Sequence, residues 1–227
     1  SFAQNDLDKS KWLQRDTIHR VTIERLSRPL SSRAILSTLS SYRNVNSSSL
    51  DIKLNVLRAL GQLQMSFDAV CAENFIDTAT GLLAEHSAVE NEVSDAVSRL
   101  GMRFRENDSV LTSYVRYLKR MKNKKSELSL FQKLLPNAKI QESDLLLIAN
   151  DAYTLNDDSS FSFLEQLLSQ PQITSNGLSE LADILRPTKF VSFKPILSDG
   201  ARKILTLILG HDKATDKIKE KINQYLN

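Results

Sequence analysis

The sequence predicts an all-α fold, and three observations lead to that prediction. Glycine and proline number only six and five among 227 residues, whereas sandwiches and barrels need many tight turns. Apolar residues recur at helical spacing throughout, for example at Leu50, Leu54 and Leu57. No segment alternates between apolar and polar residues over a full strand length. The nearest candidate, residues 190–193, is short and lies between two prolines.

Each expected helix has an apolar face and ends at a capping residue or a proline. Residues 49–65 are apolar over a wide arc, which predicts a central helix, and Val93 and Val97 begin a similar pattern. Asp199 can cap a later helix that Gly210 closes. Because the connections are short, neighbouring helices should run antiparallel. The expected helices cover residues 8–27, 30–42, 49–65, 69–85, 90–105, 108–121, 126–135, 141–154, 159–169, 174–185, 195–210 and 213–225.

A Leu-Gly pair occurs in two of these helices, at Leu60-Gly61 and at Leu100-Gly101, forty residues apart. This spacing fits one helical hairpin per repeat, and a glycine at such a site lets a neighbouring helix come close. We therefore expect an α-solenoid of about 11–12 short antiparallel helices, arranged as helical-hairpin repeats. It would form one domain over residues 1–227, with a softer boundary near residues 122–126. An irregular helical bundle is the alternative.

The pattern Leu-x-x-Leu-Gly-x-Leu at residues 57–63, followed by a second helix at 72–84, resembles a known class of repeats. These are the degenerate helical hairpins of organellar RNA-binding proteins of the pentatricopeptide, octotricopeptide and FAST-kinase-like groups, and the resemblance covers residues 50–185. It implies a non-enzymatic protein that binds RNA in organellar RNA metabolism or translation. Armadillo and HEAT repeats share the same pattern, so a protein-binding adaptor or scaffold subunit is the alternative.

Charge is distributed in blocks of alternating sign, although the net charge is only +3. Residues 61–95 and 141–183 contain no lysine or arginine. In a stack of hairpins, each block would cover one or two repeats. The blocks carry +5 over residues 1–60, −7 over 61–95, +8 over 96–140, −8 over 141–183 and +5 over 184–227.

The +8 block contains the candidate binding residues. Arg116, Lys119 and Arg120 are spaced so that they share a helix face, which suits the phosphates of single-stranded RNA. The interleaved tyrosines could stack on bases. The alternative is a solvated surface whose cations pair with the acidic blocks on either side. The candidate RNA-binding residues are Arg99, Arg103, Arg105, Tyr114, Arg116, Tyr117, Lys119, Arg120, Lys122, Lys124 and Lys125.

No residue pattern points to catalysis, a metal or a cofactor. His19, His86 and His211 are far apart, and none lies at ligand spacing from another metal-binding side chain. The sequence has neither a glycine-rich phosphate loop nor a Gly-x-Ser-x-Gly elbow. Cys71, at the start of a helix, is expected to be a buried structural thiol. We therefore expect a protein that is not an enzyme and holds no cofactor.

The single cysteine excludes an intramolecular disulfide and indicates a reducing, intracellular compartment. The chain begins with Ser-Phe-Ala, which fits either import into the mitochondrial matrix or a piece of a longer protein. The cytoplasm and the nucleus are the other candidate compartments. No apolar run is long enough to span a bilayer, so we expect no membrane insertion. The expected partner is single-stranded RNA or a protein, in the latter case within a larger complex.

Overall fold

The computed structural model describes residues 36–37, 50–85, 89–137, 139–187, 189–191 and 194–227. Ten α-helices lie within these ranges, which confirms the prediction of an all-α fold for the described residues. By the density of its contacts, the chain divides into two compact units between Lys122 and Asn123. The expected helices at 8–27 and 30–42 lie outside the described residues, except for Leu36 and Ser37, which are helical.

The described part of the first unit contains four helices arranged in two layers. They are α1 (Leu50–Gln62), α2 (Ala69–Glu85), α3 (Val89–Arg103) and α4 (Asp108–Arg120), and a short 3-10 turn, Gln64–Ser66, follows α1. Helix α1 packs on α3, and α2 packs on α4 and also on α3. Helices two apart in the chain are therefore neighbours within a layer.

Both glycines of the Leu-Gly pairs are buried against other helices, as the repeat pattern predicted. A Cβ built on Gly61 would lie 3.0 Å from the Cβ of Ala96 in α3. A Cβ built on Gly101 would overlap the ring of Tyr114 in α4. Gly61 lies near the end of α1 and Gly101 near the end of α3, so the two pairs occupy corresponding positions in these helices.

The second unit contains six helices in the described ranges. They are α5 (Lys124–Leu134), α6 (Glu142–Leu155), α7 (Asp158–Leu168), α8 (Ser175–Ile184), α9 (Asp199–Leu209) and α10 (Asp216–Leu226). Helices α5, α7 and α9 pack one on the next, and so do α6, α8 and α10. Five of the six begin at a residue whose side chain accepts a hydrogen bond from the backbone N–H three positions on, which satisfies an otherwise unpaired donor. These residues are Asn123, Asp157, Thr174, Ser198 and Thr215.

A short β-hairpin lies between α8 and α9. Strand β1 (Lys189–Val191) pairs antiparallel with β2 (Lys194–Ile196), and Phe190 is opposite Pro195. The prediction of no strand here, and of a helix beginning at residue 195, was therefore wrong. Pro195 is compatible with the first turn of a helix or with a strand that has a free edge, so the pairing of β2 with β1 decided between them.

The other expected helices within the described ranges agree with the structure to within three residues at each end. The largest difference in the first unit is at residues 63–65, where the continuous helix gives way to the 3-10 turn. At the start of α9, Ser198 is the capping residue, not Asp199. None of the described helices is both long enough and apolar enough to cross a membrane.

Candidate binding surface

Arg103, at the end of α3, is held by the connection between α1 and α2. Its Nη1 donates hydrogen bonds to the carbonyl oxygens of Gln64 at 3.1 Å and Met65 at 3.0 Å. Its guanidinium carbon also lies 4.8 Å from the centre of the Phe104 ring. Arg103 therefore donates to carbonyl oxygens beyond the end of α1 and links α3 to the connection between α1 and α2. These hydrogen bonds occupy guanidinium donors that a phosphate would need.

The other two arginines near the end of α3 form exposed ion pairs. Arg99 lies 2.9 Å from Asp95 one turn earlier, and Arg105 lies 3.5 Å from Glu106. Exposed pairs of this kind stabilise a protein only slightly. Each of the two cations nevertheless has a carboxylate beside it, so their local field is partly neutralised.

Two cations of α4, Arg116 and Arg120, contact α2. Nη1 of Arg116 lies 3.1 Å from Oδ1 of Asp77, and Nη1 of Arg120 donates to the carbonyl of Thr80 at 3.4 Å. Residue numbers rise together along both helices, so α4 runs parallel to α2. Arg116 and Arg120 are exposed and Lys119 is partly exposed, as their shared spacing predicted.

The arginines of α3 and the cations of α4 do not form one strip. Arg103 and Arg105 lie where the chain enters α4, whereas Lys119 and Arg120 lie where it leaves that helix. Helix α4 has 13 residues. An α-helix rises about 1.5 Å per residue, so the two groups are separated by roughly 18 Å along its axis. The expectation that Arg103 and Arg105 converge with Lys119 and Arg120 was therefore wrong.

Tyr114 and Tyr117 are completely buried. The ring of Tyr114 fills the space that Gly101 leaves open. Burial raises the pKa of Tyr114 to about 12, and the neighbouring Ser98 offsets part of the increase. Burial also strongly raises the pKa of Tyr117, and the charge of Glu90 adds to that effect. A ring without exposed surface cannot stack on a base, so the expectation that these tyrosines contact RNA was wrong.

Lys124 and Lys125 belong to the second unit and are paired there. Nζ of Lys124 lies 2.6 Å from Glu127 and 2.8 Å from Asp151. Burial lowers the pKa of Lys124, but the hydrogen bonds to Asp151 and Glu127 outweigh it, so the pKa is raised overall. Since Glu127 is completely buried, Lys124 neutralises a carboxylate in the core. Nζ of Lys125 lies 3.3 Å from Oδ2 of Asp157, at the start of α7.

Among the described residues, seven ion pairs each join a positive sequence block to a negative one. One of them, Arg99–Asp95, lies within α3. The other six join two different helices or a helix and the capping residue of another. These six pairs are Arg58–Glu92, Arg116–Asp77, Lys124–Asp151, Lys125–Asp157, Lys203–Glu165 and Lys221–Asp183. Lys122 adds a backbone contact of the same kind, because its N–H donates to the Glu90 carboxylate at 2.8 Å. These pairs favour the alternative in which the basic blocks pair with the acidic blocks.

Within the described part of the first unit, α2 and α4 together form an exposed surface, and we call it the α2–α4 face. It is composed of Val70, Glu73, Asn74, Asp77, Thr78 and Gly81 from α2 and of Asp108, Ser109, Thr112, Arg116, Lys119 and Arg120 from α4. Its first half contains a cleft of about 280 Å³ that is lined by three carboxylates, Glu73, Asp77 and Asp108, by small hydroxyl side chains and by Arg116, which pairs with Asp77. The face is therefore acidic at one end and basic at the other.

Sequence reasoning found the basic half of this face but missed the acidic half. Glu73 and Asp77 are one turn apart on α2, whereas Asp108 begins α4, so only the packing of the two helices brings the three together. The equal spacing of the helix starts could have indicated that α2 and α4 are neighbours. Leu50 and Val89 are 39 residues apart, and so are Ala69 and Asp108.

The described residues contain no group of three or more His, Cys, Asp or Glu side chains that could hold a metal ion. Cys71 is completely buried, as expected for a structural thiol. His19 and His86 lie outside the described residues. No family model matches this chain, and no curated protein or solved structure is similar to it.

Proposed function

We propose that this chain is a non-enzymatic helical-hairpin repeat protein that binds a protein partner through the α2–α4 face. It would act as an adaptor or as a scaffold subunit of a larger complex. The observation that carries the proposal is the opposite charge of the two ends of that face. Surfaces with both signs of charge suit a protein partner, because complementary charges on the partner set its register and exclude wrong partners.

The regular spacing of the helices supports a repeat architecture. In the first unit, helices of one layer begin 39 residues apart. In the second unit, α5, α7 and α9 begin at Lys124, Asp158 and Asp199, intervals of 34 and 41 residues, and the longer interval contains the β-hairpin. We interpret each pair of consecutive helices as one repeat of an α-solenoid. The boundary that the sequence predicted near residues 122–126 coincides with the division of the chain into two units between Lys122 and Asn123.

Three features favour a protein partner over single-stranded RNA. The two tyrosines of the basic block are buried, so they supply no stacking platform. Arg103 and Arg116 already contact carbonyl or carboxylate oxygens of the chain itself. The carboxylates of Glu73 and Asp108 lie on the same face, beside the Asp77–Arg116 pair, and would repel a continuous phosphate backbone.

The test is affinity capture from a nuclease-treated cell extract, followed by reconstitution with the purified candidate. The face variant carries Asn74→Arg and Thr112→Arg, which place bulky charges on the α2–α4 face. The matched control carries Thr154→Arg and Gln166→Arg, at exposed positions of α6 and α7. We expect a protein that the wild type and the control retain and the face variant loses. Equal retention by all three chains would argue against the proposal. So would a protein that the wild type retains from an untreated extract but not from the nuclease-treated one.

RNA binding is the second candidate, in keeping with the resemblance to organellar repeat proteins and a location in the mitochondrial matrix. It is favoured by the exposed side chains of Arg120 and Lys122, which lie with Lys119 at the end of α4. Its test is the affinity for single-stranded RNA over a series of salt concentrations, for the wild type and for Arg116→Glu/Lys119→Glu/Arg120→Glu. RNA binding predicts a steep loss of affinity with salt and its abolition in the triple variant. An affinity unchanged by the triple variant would exclude this surface.

A further inference from the structure

The α2–α4 face runs along two parallel helices, and we call the path between these helices the groove. Its first half is the cleft of about 280 Å³. The contacts from Arg116 to Asp77 and from Arg120 to the Thr80 carbonyl fix the register of the two helices. Small side chains lie between the charged ones on the face, so they leave room for another element. They are Asn74 and Thr78 on α2 and Ser109 and Thr112 on α4.

Gly81 exposes the backbone of α2 on this face. It is exposed although it lies well inside the helix, and no heavy atom comes within 4 Å of a Cβ built on it. A glycine in a helix interior is less favourable than alanine, and packing within the described residues gives no reason for it here. A bare backbone allows another backbone to come close. Arg120, which reaches the adjacent Thr80 carbonyl, lies beside this position.

Charge along the groove gives a bound segment a direction. Glu73, Asp77 and Asp108 lie in the half formed by the N-terminal turns of α2 and α4. Lys119 and Arg120 lie in the half formed by the C-terminal turns, beside Gly81. A complementary helix needs basic residues over the first half and acidic residues over the second. Acidic residues are most stable in the N-terminal turn of a helix and basic residues in its C-terminal turn.

We propose that the groove binds one α-helix of a partner protein, antiparallel to α2 and α4. That helix carries acidic residues in its N-terminal turns, over Lys119 and Arg120, and basic residues in its C-terminal turns, over the acidic cleft. Its backbone passes close to Gly81. The inference rests on the proposed function, because it names the kind of segment that the α2–α4 face receives.

The probe is a fluorescent synthetic peptide of the length of α2, with glutamates in its first half, lysines in its second half and alanine and leucine elsewhere. Its control has the same composition, with the charges evenly mixed along the chain. We expect fluorescence anisotropy at low salt to show binding of the segregated peptide at least about tenfold tighter than that of the mixed peptide, a difference of 1.4 kcal/mol. Equal binding of the two peptides, or binding of neither, overturns the proposal.

A photo-reactive group at the peptide N-terminus measures the direction of binding. The antiparallel arrangement predicts cross-links to residues 116–122, and cross-links to residues 108–112 instead would overturn it. Gly81→Leu should weaken peptide binding by about tenfold or more, because its side chain occupies the path of the bound helix. Thr154→Leu on α6 is the control and should bind like the wild type, with circular dichroism showing that both variants are folded. An unchanged affinity of Gly81→Leu overturns the proposal.

The two proposals fail in different ways. If no peptide binds but the captured protein still requires Asn74 and Thr112, the helical occupant is wrong and the protein-binding function stands. If the protein is captured equally well when Asn74 and Thr112 are replaced, the α2–α4 face is not its binding site and both proposals are wrong. If a single-stranded oligouridine binds the face more tightly than the segregated peptide does, the surface is an RNA-binding site and the helix-binding proposal is wrong.

Discussion

The contact between Gly101 and Tyr114 determines how α3 and α4 meet. Gly101 has no side chain, and the Tyr114 ring lies against its backbone with no exposed surface. The sequence indicated that a neighbour would approach closely at this glycine. The structure shows that the neighbour is an aromatic ring and not a helix backbone. Tyr114, which the sequence analysis assigned to the binding surface, is therefore part of the core.

At this position we expect Gly101→Leu to lower the free energy of unfolding by about 1–3 kcal/mol, because it overpacks a filled site. Urea unfolding followed by circular dichroism measures the change. Gly81→Ala is the matched control, since Gly81 has open space above it. There we expect a stabilisation of roughly 0.5–1 kcal/mol from the gain in helix propensity. A Gly101→Leu chain as stable as the wild type would mean that the contact is loose.

Tyr114 should make the first unit sensitive to alkali. Its pKa is raised from 10.0 to about 12, so folding favours the neutral ring. The resulting stability is complete below pH 10.0 and is lost as the pH rises through about 12. Tyr114→Phe cannot ionise and should keep its helical circular dichroism to a higher pH, and tyrosinate absorbance reports the ionisation. Unfolding of both chains at the same pH would show that Tyr114 is not the limiting group.

At the scale of the elements, capping residues place the starts of the described helices. Asn107 accepts a hydrogen bond from the N–H of Val110 at the start of α4, and Asp157 accepts one from Ser160 at the start of α7. Because such bonds are local, the sequence predicts most helix bounds closely. The β-hairpin between α8 and α9 is the exception, since its pairing is made between two segments and is not visible in either one.

The cap of α7 provides a test of pH dependence. Oδ1 of Asp157 accepts hydrogen bonds from the hydroxyl of Ser159 and from the N–H and hydroxyl of Ser160, and these lower its pKa from 3.8. A lowered pKa in the folded state stabilises the protein above pH 3.8, and this stability is lost as the pH falls through the lowered value. Asp157→Asn should therefore be less stable than the wild type near neutral pH, with the difference shrinking in acid.

Chemical unfolding at neutral and acidic pH measures the effect of Asp157→Asn. Asparagine is also a good capping residue, so the variant removes the charge while the capping geometry remains possible. Asp158→Asn is the control, because it makes the same change of charge one residue further on. A stability difference for Asp157→Asn that does not depend on pH would contradict the assignment to the charge.

At the scale of the whole molecule, the alternating charge blocks follow the order of the helices. The ion pairs Arg58–Glu92 and Arg116–Asp77 join neighbours within each layer of the first unit. Lys203–Glu165 and Lys221–Asp183 do the same in the second unit. Neighbouring helices of opposite charge attract, whereas a shift that aligned like blocks would place like charges together. The pairs are exposed, so their contribution is to register more than to stability.

The second unit should fold without the first. All the packing of α5 to α10 described above lies within residues 123–227, including the buried Glu127 with its partner Lys124. We expect this fragment to be helical and to unfold cooperatively with temperature, as followed by circular dichroism. Replacing Leu167, which is completely buried, with alanine should lower its midpoint, whereas exposed Gln166→Ala should not. A gradual loss of helix without a transition would show that the fragment depends on the rest of the chain.

The sequence by itself determined that the chain is helical, approximately where the described helices begin and end, and how the charge is divided along it. These properties follow from hydrogen bonds and apolar spacing within a few residues. Only the tertiary structure decided that Tyr114 and Tyr117 are buried, that Arg116 pairs with Asp77 and that three carboxylates from two helices line one cleft. Each of these depends on residues brought together by helix packing, often 39 positions apart, and the sequence within any one helix carries no information about that partner.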